Sequence, residues 1–142
     1  MQLSALERMV AANHASFMMT SDRVRETLAH HGLTQATATA LWAIDPDEPP
    51  PTMTTMAQRL FCNAPNLTFV ANQLIKRRLV ARAIDPSDRR SRVLSLTEEG
   101  ARVRAEVIEA TLERTPFATL NAQQLATLAE LTELALTRSL AT

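Results

Sequence analysis

Residues 52–97 read TMTTMAQRLFCNAPNLTFVANQLIKRRLVARAIDPSDRRSRVLSLT, and this stretch decides the fold. Thr52 suits a helix N-cap, and Met56, Ala57 and Leu60 share one face, which predicts a short helix over 52–61. Residues 62–64 predict a tight turn. A second helix follows over 65–78, capped by Asn63, with Pro65 in the first turn, where its missing amide proton costs nothing. Leu67, Val70, Ala71 and Leu74 form its core stripe. A strand is expected over 80–84, a turn at DPSDRR and a returning strand over 91–96.

Helix, turn, helix and basic-tipped hairpin is the layout of a winged helix-turn-helix, whose second helix lies in the DNA major groove. Charge agrees with that layout. Between Arg59 and Arg92 stand eight basic residues against Asp85 and Asp88, a local excess of six in a chain of zero formal net charge. A cationic patch on a neutral protein is the footprint of a polyanion partner. Beside the core stripe, Asn66, Thr68, Phe69, Asn72, Gln73, Lys76 and Arg77 occupy the other faces of the second helix. Amides and hydroxyls flanked by cations serve base-edge reading together with phosphate contact. A solvated basic face and a protein-binding winged unit are the competing readings; the helix-turn-helix pattern around the patch argues against the first and the basic wing against the second.

Outward from this unit, residues 4–30 predict a long helix with Leu3, Leu6, Val10, Phe17, Val24 and Leu28 on one stripe, stopped at Gly32. Thr34 caps a second helix running to Ile44, with Leu41, Trp42 and Ile44 buried. DPDEPPP, residues 45–51, is a loop, because proline lacks the amide proton and restrains its predecessor. Beyond the hairpin, Thr97 caps a fifth helix with Glu98 and Glu99 at its positive end and Val103, Val107 and Leu112 as anchors. Pro116 interrupts it. Asn121 caps a sixth helix bearing Leu125, Leu128, Leu131, Leu134, Leu136 and Leu140. The first, fifth and sixth helices carry more apolar surface than the small middle unit can bury, so a homodimer built from the chain's two ends is expected.

The chain of 142 residues is expected to form a single domain, mainly α with a small β-hairpin wing. Residues 33–96 make the winged helix-turn-helix, and residues 1–32 and 97–142 the dimerisation helices. No run approaches the roughly 18 apolar residues of a membrane span, and the N-terminus lacks a signal-peptide pattern, which points to a soluble cytoplasmic protein. One cysteine, Cys62, excludes an intrachain disulfide. Its place beside a helix N-terminus permits a redox switch, although a structural cysteine filling the turn is the stronger reading. His14, His30 and His31 lack the spacing of a metal site, and no cofactor motif or catalytic constellation is present. An enzyme is therefore the weakest of the three classes. His14, Phe17 and Met18 of the first helix, with Trp42 of the second, are candidates to line a small-molecule cavity, against an ordinary interhelical core.

Residues 79–100, LVARAIDPSDRRSRVLSLTEEG, closely resemble the wing of the MarR family of bacterial transcription regulators. The pattern runs L-V-x-R, D-x-x-D-R-R, a hydrophobic strand, then L-T-x-x-G, and NLTFVANQL upstream is similar to that family's recognition helix. The resemblance implies a dimeric regulator of double-stranded DNA at a pseudo-palindromic operator. It further implies a repressor relieved by a phenolic or other amphipathic effector bound between the dimer and DNA-binding regions. It also implies that one arginine of D-R-R pairs with the aspartate while the other enters the minor groove; Asp88 and Arg89 are assigned to bracing and Arg90 to the groove. Three positions depart from the pattern. Asn72-Gln73 stand where relatives commonly have Asp-Arg, Ile75 replaces Glu, and Arg78 replaces a Gly at the helix end. Asn and Gln favour adenine edges where Arg favours guanine, so the operator sequence should differ accordingly.

Overall fold

The computed structural model describes residues 2–142. Its elements in order are α1 (Ala5–His30), α2 (Gln35–Trp42), α3 (Met53–Arg59), α4 (Ala64–Lys76), β1 (Val80–Asp85), β2 (Asp88–Leu96), α5 (Glu98–Arg114), a 3-10 turn (Pro116–Thr119) and α6 (Ala122–Leu140). Every α-helix starts where a short polar side chain meets an orphan amide. Ser4, Thr34, Thr52, Asn63, Thr97 and Asn121 each accept a backbone N–H from the first turn.

The helix ends repeat one another. Gly32 (φ 68°), Phe61 (φ 51°) and Arg78 (φ 61°) are all left-handed. In each case the residue after them donates its amide to a carbonyl five positions back, Leu33 to Leu28, Cys62 to Ala57 and Leu79 to Leu74. This is the Schellman stop, whose left-handed position favours glycine. It ends α3 and α4 at Arg59 and Lys76, two residues short of the ends expected from periodicity, and makes Arg78 the turn into β1.

The core belongs to the middle of the chain. Met56 and Leu74 are wholly buried, packed with Leu67, Leu41, Ile44 and Leu94, and Val103 and Val107 of α5 close over them. Gly100 explains part of the L-T-x-x-G pattern. Thr97 donates its amide and hydroxyl to the Leu79 carbonyl, and a Cβ at Gly100 would lie 1.8 Å from that same oxygen. Only glycine lets α5 leave the sheet at this angle.

The wing is larger than the two expected strands. β1 and β2 pair antiparallel from Val80↔Leu96 to Ile84↔Arg92, and Asp85 then pairs with Asp88. One step along β1 is thus matched by four along β2, so Arg89, Arg90 and Ser91 bulge out of the ladder. The tight turn is only Pro86-Ser87, and the two arginines sit on the strand beside the tip rather than in the turn itself. The proline-rich loop supplies a third edge. Buried Pro51 accepts the amide of Leu94, and Thr52 bridges Val93.

The ends of the chain behave differently. In α1 only Val24 and Leu28 of the expected stripe are buried, while Leu3, Leu6, Val10 and Phe17 are exposed. In α5, Leu112 is exposed, and no residue of α6 is buried. No described helix is long and apolar enough to cross a membrane.

Candidate nucleic-acid interface

Helix α4 turns Leu67, Ala71 and Leu74 inward, which leaves Asn66, Thr68, Phe69, Asn72 and Lys76 exposed. Gln73 is half-buried and faces the other way from Asn72. It lines a cleft with His30, His31, Thr34, Lys76 and Arg77, between α4 and the α1–α2 junction. Asn72 instead meets the wing, its Oδ1 accepting from Arg82 Nη2 at 2.9 Å. The contact couples the base of the hairpin to the outer face of α4. Nothing in the sequence pattern signals it, because the pair is set by the crossing of helix and strand. Arg77 lies against Gly32, where its guanidinium fills the space a side chain would need.

At the wing tip, the Ser87 amide and then its hydroxyl bond Asp85 and hold that carboxyl below the usual aspartate range. Asp88 accepts the backbone amide of Arg90 at 3.0 Å and pairs with its Nε at 3.5 Å. The bracing order expected from the resemblance is therefore reversed. Arg90 is the arginine held by Asp88, because the bulge folds its own amide back onto that carboxylate. Arg89 makes no side-chain hydrogen bond or ion pair to any described residue, although its carbonyl accepts from Arg92.

Between Glu48 and Asp85 the chain has no acidic residue, yet it carries Arg59, Lys76, Arg77, Arg78 and Arg82. The surface that α3, α4 and β1 present is cationic, with Glu48 paired to Arg59 and Asp85 at the far end of β1 as the acids that border it. The acids nearby are committed elsewhere: Glu99 and Glu106 pair with Arg102, and Glu106 also meets His31 Nε2 at 2.8 Å. Arg102 also holds the Glu99 carboxyl below its ordinary value.

A cavity of about 430 Å3 lies between α1, α2 and α5. Phe17 and Trp42 line it, while His14 and Met18 are exposed on α1 outside its lining. Trp42, expected in the core, is 38% exposed because it borders this space. Three of the lining hydroxyls already serve the backbone, Thr20 to Ser16, Thr39 to Gln35 and Thr111 to Val107. Arg59 is the one charged side chain among the described lining residues, and it donates to the Ala43 carbonyl at 2.8 Å and to Glu48 at 3.4 Å. Cys62 is half-buried against the core. No group of three His, Cys, Asp or Glu side chains suited to a metal ion occurs among the described residues.

A helix-turn-helix with a basic wing, set between long helices at the two chain ends, defines a winged helix-turn-helix protein. The sequence profile of the MarR family matches residues 31–91, the unit from the end of α1 to the wing. Over this unit the chain is similar to the MarR family, a family of transcriptional regulators. Solved structures agree along nearly the whole length. The transcriptional repressor CouR, bound to a 23-mer DNA duplex, is 25% identical with a TM-score of 0.72, over 95% of this chain and 98% of that one. AbsC, a MarR-family transcriptional regulator from Streptomyces coelicolor, is 19% identical with a TM-score of 0.77, over 100% and 99% of the two chains. A MarR transcriptional regulator from Methanosarcina mazei Go1 is 17% identical with a TM-score of 0.82, over 95% and 98%. No curated protein matches the chain in sequence.

Proposed function

We propose that the protein is a homodimeric, sequence-specific regulator of transcription that binds double-stranded DNA, a repressor whose grip on DNA changes with a bound small molecule. The observation that carries this reading is the acid-free basic stretch between Glu48 and Asp85, which spans α3, α4 and most of β1, with the Arg89 side chain making no hydrogen bond or ion pair to any described residue at the wing. Asn66, Thr68, Phe69 and Asn72 are assigned to the bases and Lys76 and Arg77 to the phosphates, whereas Gln73, expected among the base contacts, turns toward the α1–α2 junction. Arg89 is assigned to the minor groove, with Arg90 braced by Asp88 beside it. Residues 33–96 form the DNA-binding unit, and residues 1–32 and 97–142 pair two copies across a two-fold axis. That axis sets the two α4 helices about one helical turn, ~10 base pairs, apart on a pseudo-palindrome. The protein acts in the bacterial cytoplasm, and no catalytic step is assigned to it.

The cavity supports the ligand arm of this reading. An aromatic body fits between Phe17 and Trp42, and Arg59 offers the one charge for an acidic group. CouR from Rhodococcus jostii RHA1, 20% identical with a TM-score of 0.75, is known bound to p-coumaroyl-CoA, an amphipathic acyl thioester. Salt dependence tests the DNA reading. Affinity for duplex DNA should fall roughly a thousandfold between about 50 and 200 mM salt, as phosphate contacts release counterions. Binding that stays flat across that range would remove it.

A further inference from the structure

Three helices in this chain end on the same backbone device, with a left-handed residue at the same place: Gly32 after α1, Phe61 after α3 and Arg78 after α4. The position favours glycine in all three, because a side chain there crowds its own carbonyl. Two of the three residues have a reason within the chain. Gly32 is itself the residue that this backbone favours, and the Arg77 guanidinium rests in the space that its missing side chain leaves. Arg78 lines a cleft beside Glu98 and Glu99 at the start of α5, so acidic side chains stand near its charge although it forms no ion pair with any described residue. Phe61 has no such reason. Its side chain is 82% exposed, the most exposed large apolar residue among those described. The chain therefore carries both a conformational and a hydration penalty at one residue, and nothing inside the molecule offsets either.

The location of Phe61 names its partner. It stands two residues before Asn63, the N-cap of α4, at the end of the helix that a helix-turn-helix directs toward base edges. Its surroundings are the acid-free stretch between Glu48 and Asp85, which disfavours a basic protein surface and favours a polyanion. Phe69 is a second exposed aromatic side chain, on α4 itself. In the major groove the one apolar feature of a base pair is the thymine 5-methyl group, which aromatic side chains contact directly. Resting on the DNA-binding reading above, we propose that Phe61 is a specificity-determining residue that packs on a thymine methyl in each half-site. With Asn66 and Asn72 favouring adenine edges, the recognised half-site is rich in A·T pairs.

The test uses the full-length protein and a duplex it selects from a random-sequence pool. Wild type, Phe61→Gly and Phe61→Asn are compared on that duplex and on copies with each thymine in turn replaced by deoxyuridine, which lacks the methyl. Both substitutions tolerate the left-handed backbone, so both variants should melt at or above the wild-type temperature. Both should bind the selected duplex several-fold more weakly. One deoxyuridine in a single half-site should weaken wild type by about fourfold, the worth of one buried methyl group, and leave the variants unaffected. Variants that bind like wild type, or that respond to every deoxyuridine as wild type does, overturn the inference and leave the DNA reading standing. A lower melting temperature or an altered sedimentation coefficient would place Phe61 in a protein contact and likewise overturn it. If no duplex is selected at all, the DNA-binding reading falls and this inference with it.

Discussion

The middle of the molecule and its two ends use the same apolar periodicity and meet opposite fates. In α4, Leu67, Ala71 and Leu74 recur at helical spacing, and each is essentially inaccessible to solvent. In α6, Leu125, Leu131, Leu134, Leu136 and Leu140 recur in the same manner, and all are exposed. The first half of α1 repeats the pattern with Leu6, Val10 and Phe17. Hydrophobic spacing states that a face needs covering, whereas the cover itself is a tertiary or quaternary matter. A single chain satisfies its centre and leaves its ends wanting, which a two-fold partner would resolve with the same surface twice.

The strongest way to break that contrast is at the exposed end. Leu128→Arg with Leu131→Arg should give monomers or unfolded chains, with operator affinity reduced by roughly a hundredfold or more as the second recognition helix is lost. Sedimentation and DNA binding measured together decide the matter. A wild-type monomer that binds one half-site as tightly as the palindrome would end the two-region account. The matching lesion in the centre is Gly100→Ala. Its new methyl would meet the Leu79 carbonyl oxygen at 1.8 Å, so stability should drop by about 3 kcal/mol, seen as a lower melting temperature. Unchanged stability would show that α5 can shift away from the sheet at little cost.

Smaller effects separate surface function from core. Arg89→Ala should weaken DNA binding by about tenfold without moving the melting temperature, since the side chain is exposed and makes no hydrogen bond or ion pair to any described residue. Arg90→Ala should cost less binding, because its charge is shared with Asp88. The reverse order would restore the assignment expected from the resemblance. Arg78→Gly is the mildest change. Releasing the left-handed strain should stabilise the protein by about 0.5–1 kcal/mol after the added freedom of the unfolded chain is counted. A loss of stability instead would show that the Arg78 charge near Glu98 and Glu99 outweighs the strain.

The caps, the winged layout and the charge of the middle unit were legible in the residues. Thr52, Asn63, Thr97 and Asn121 announce helix starts by local chemistry alone, and each does so in the structure. The DRR arginines were legible as a cluster, but not in their roles. Which one Asp88 holds depends on a bulge in β2 that no alternation pattern encodes. Phe61 went unmarked because a phenylalanine beside a turn looks like core until its exposure is known. Gln73 and Asn72 are neighbours in sequence, yet one faces the α1–α2 junction and the other Arg82 of the wing.

The sequence by itself determined what a residue and its near neighbours settle: where helices begin, which face of each is apolar, and where positive charge collects. These follow from hydrogen bonds and periodicities spanning only a few residues. The tertiary structure alone decided which apolar faces are covered, how the Asp45–Pro51 loop becomes a third edge of the wing through Pro51 and Leu94, and that Phe17, Trp42 and Arg59 share one cavity. Those pairings join residues tens of positions apart. Their geometry is set by how helices cross and where a strand bulges, and packing across the whole fold fixes it.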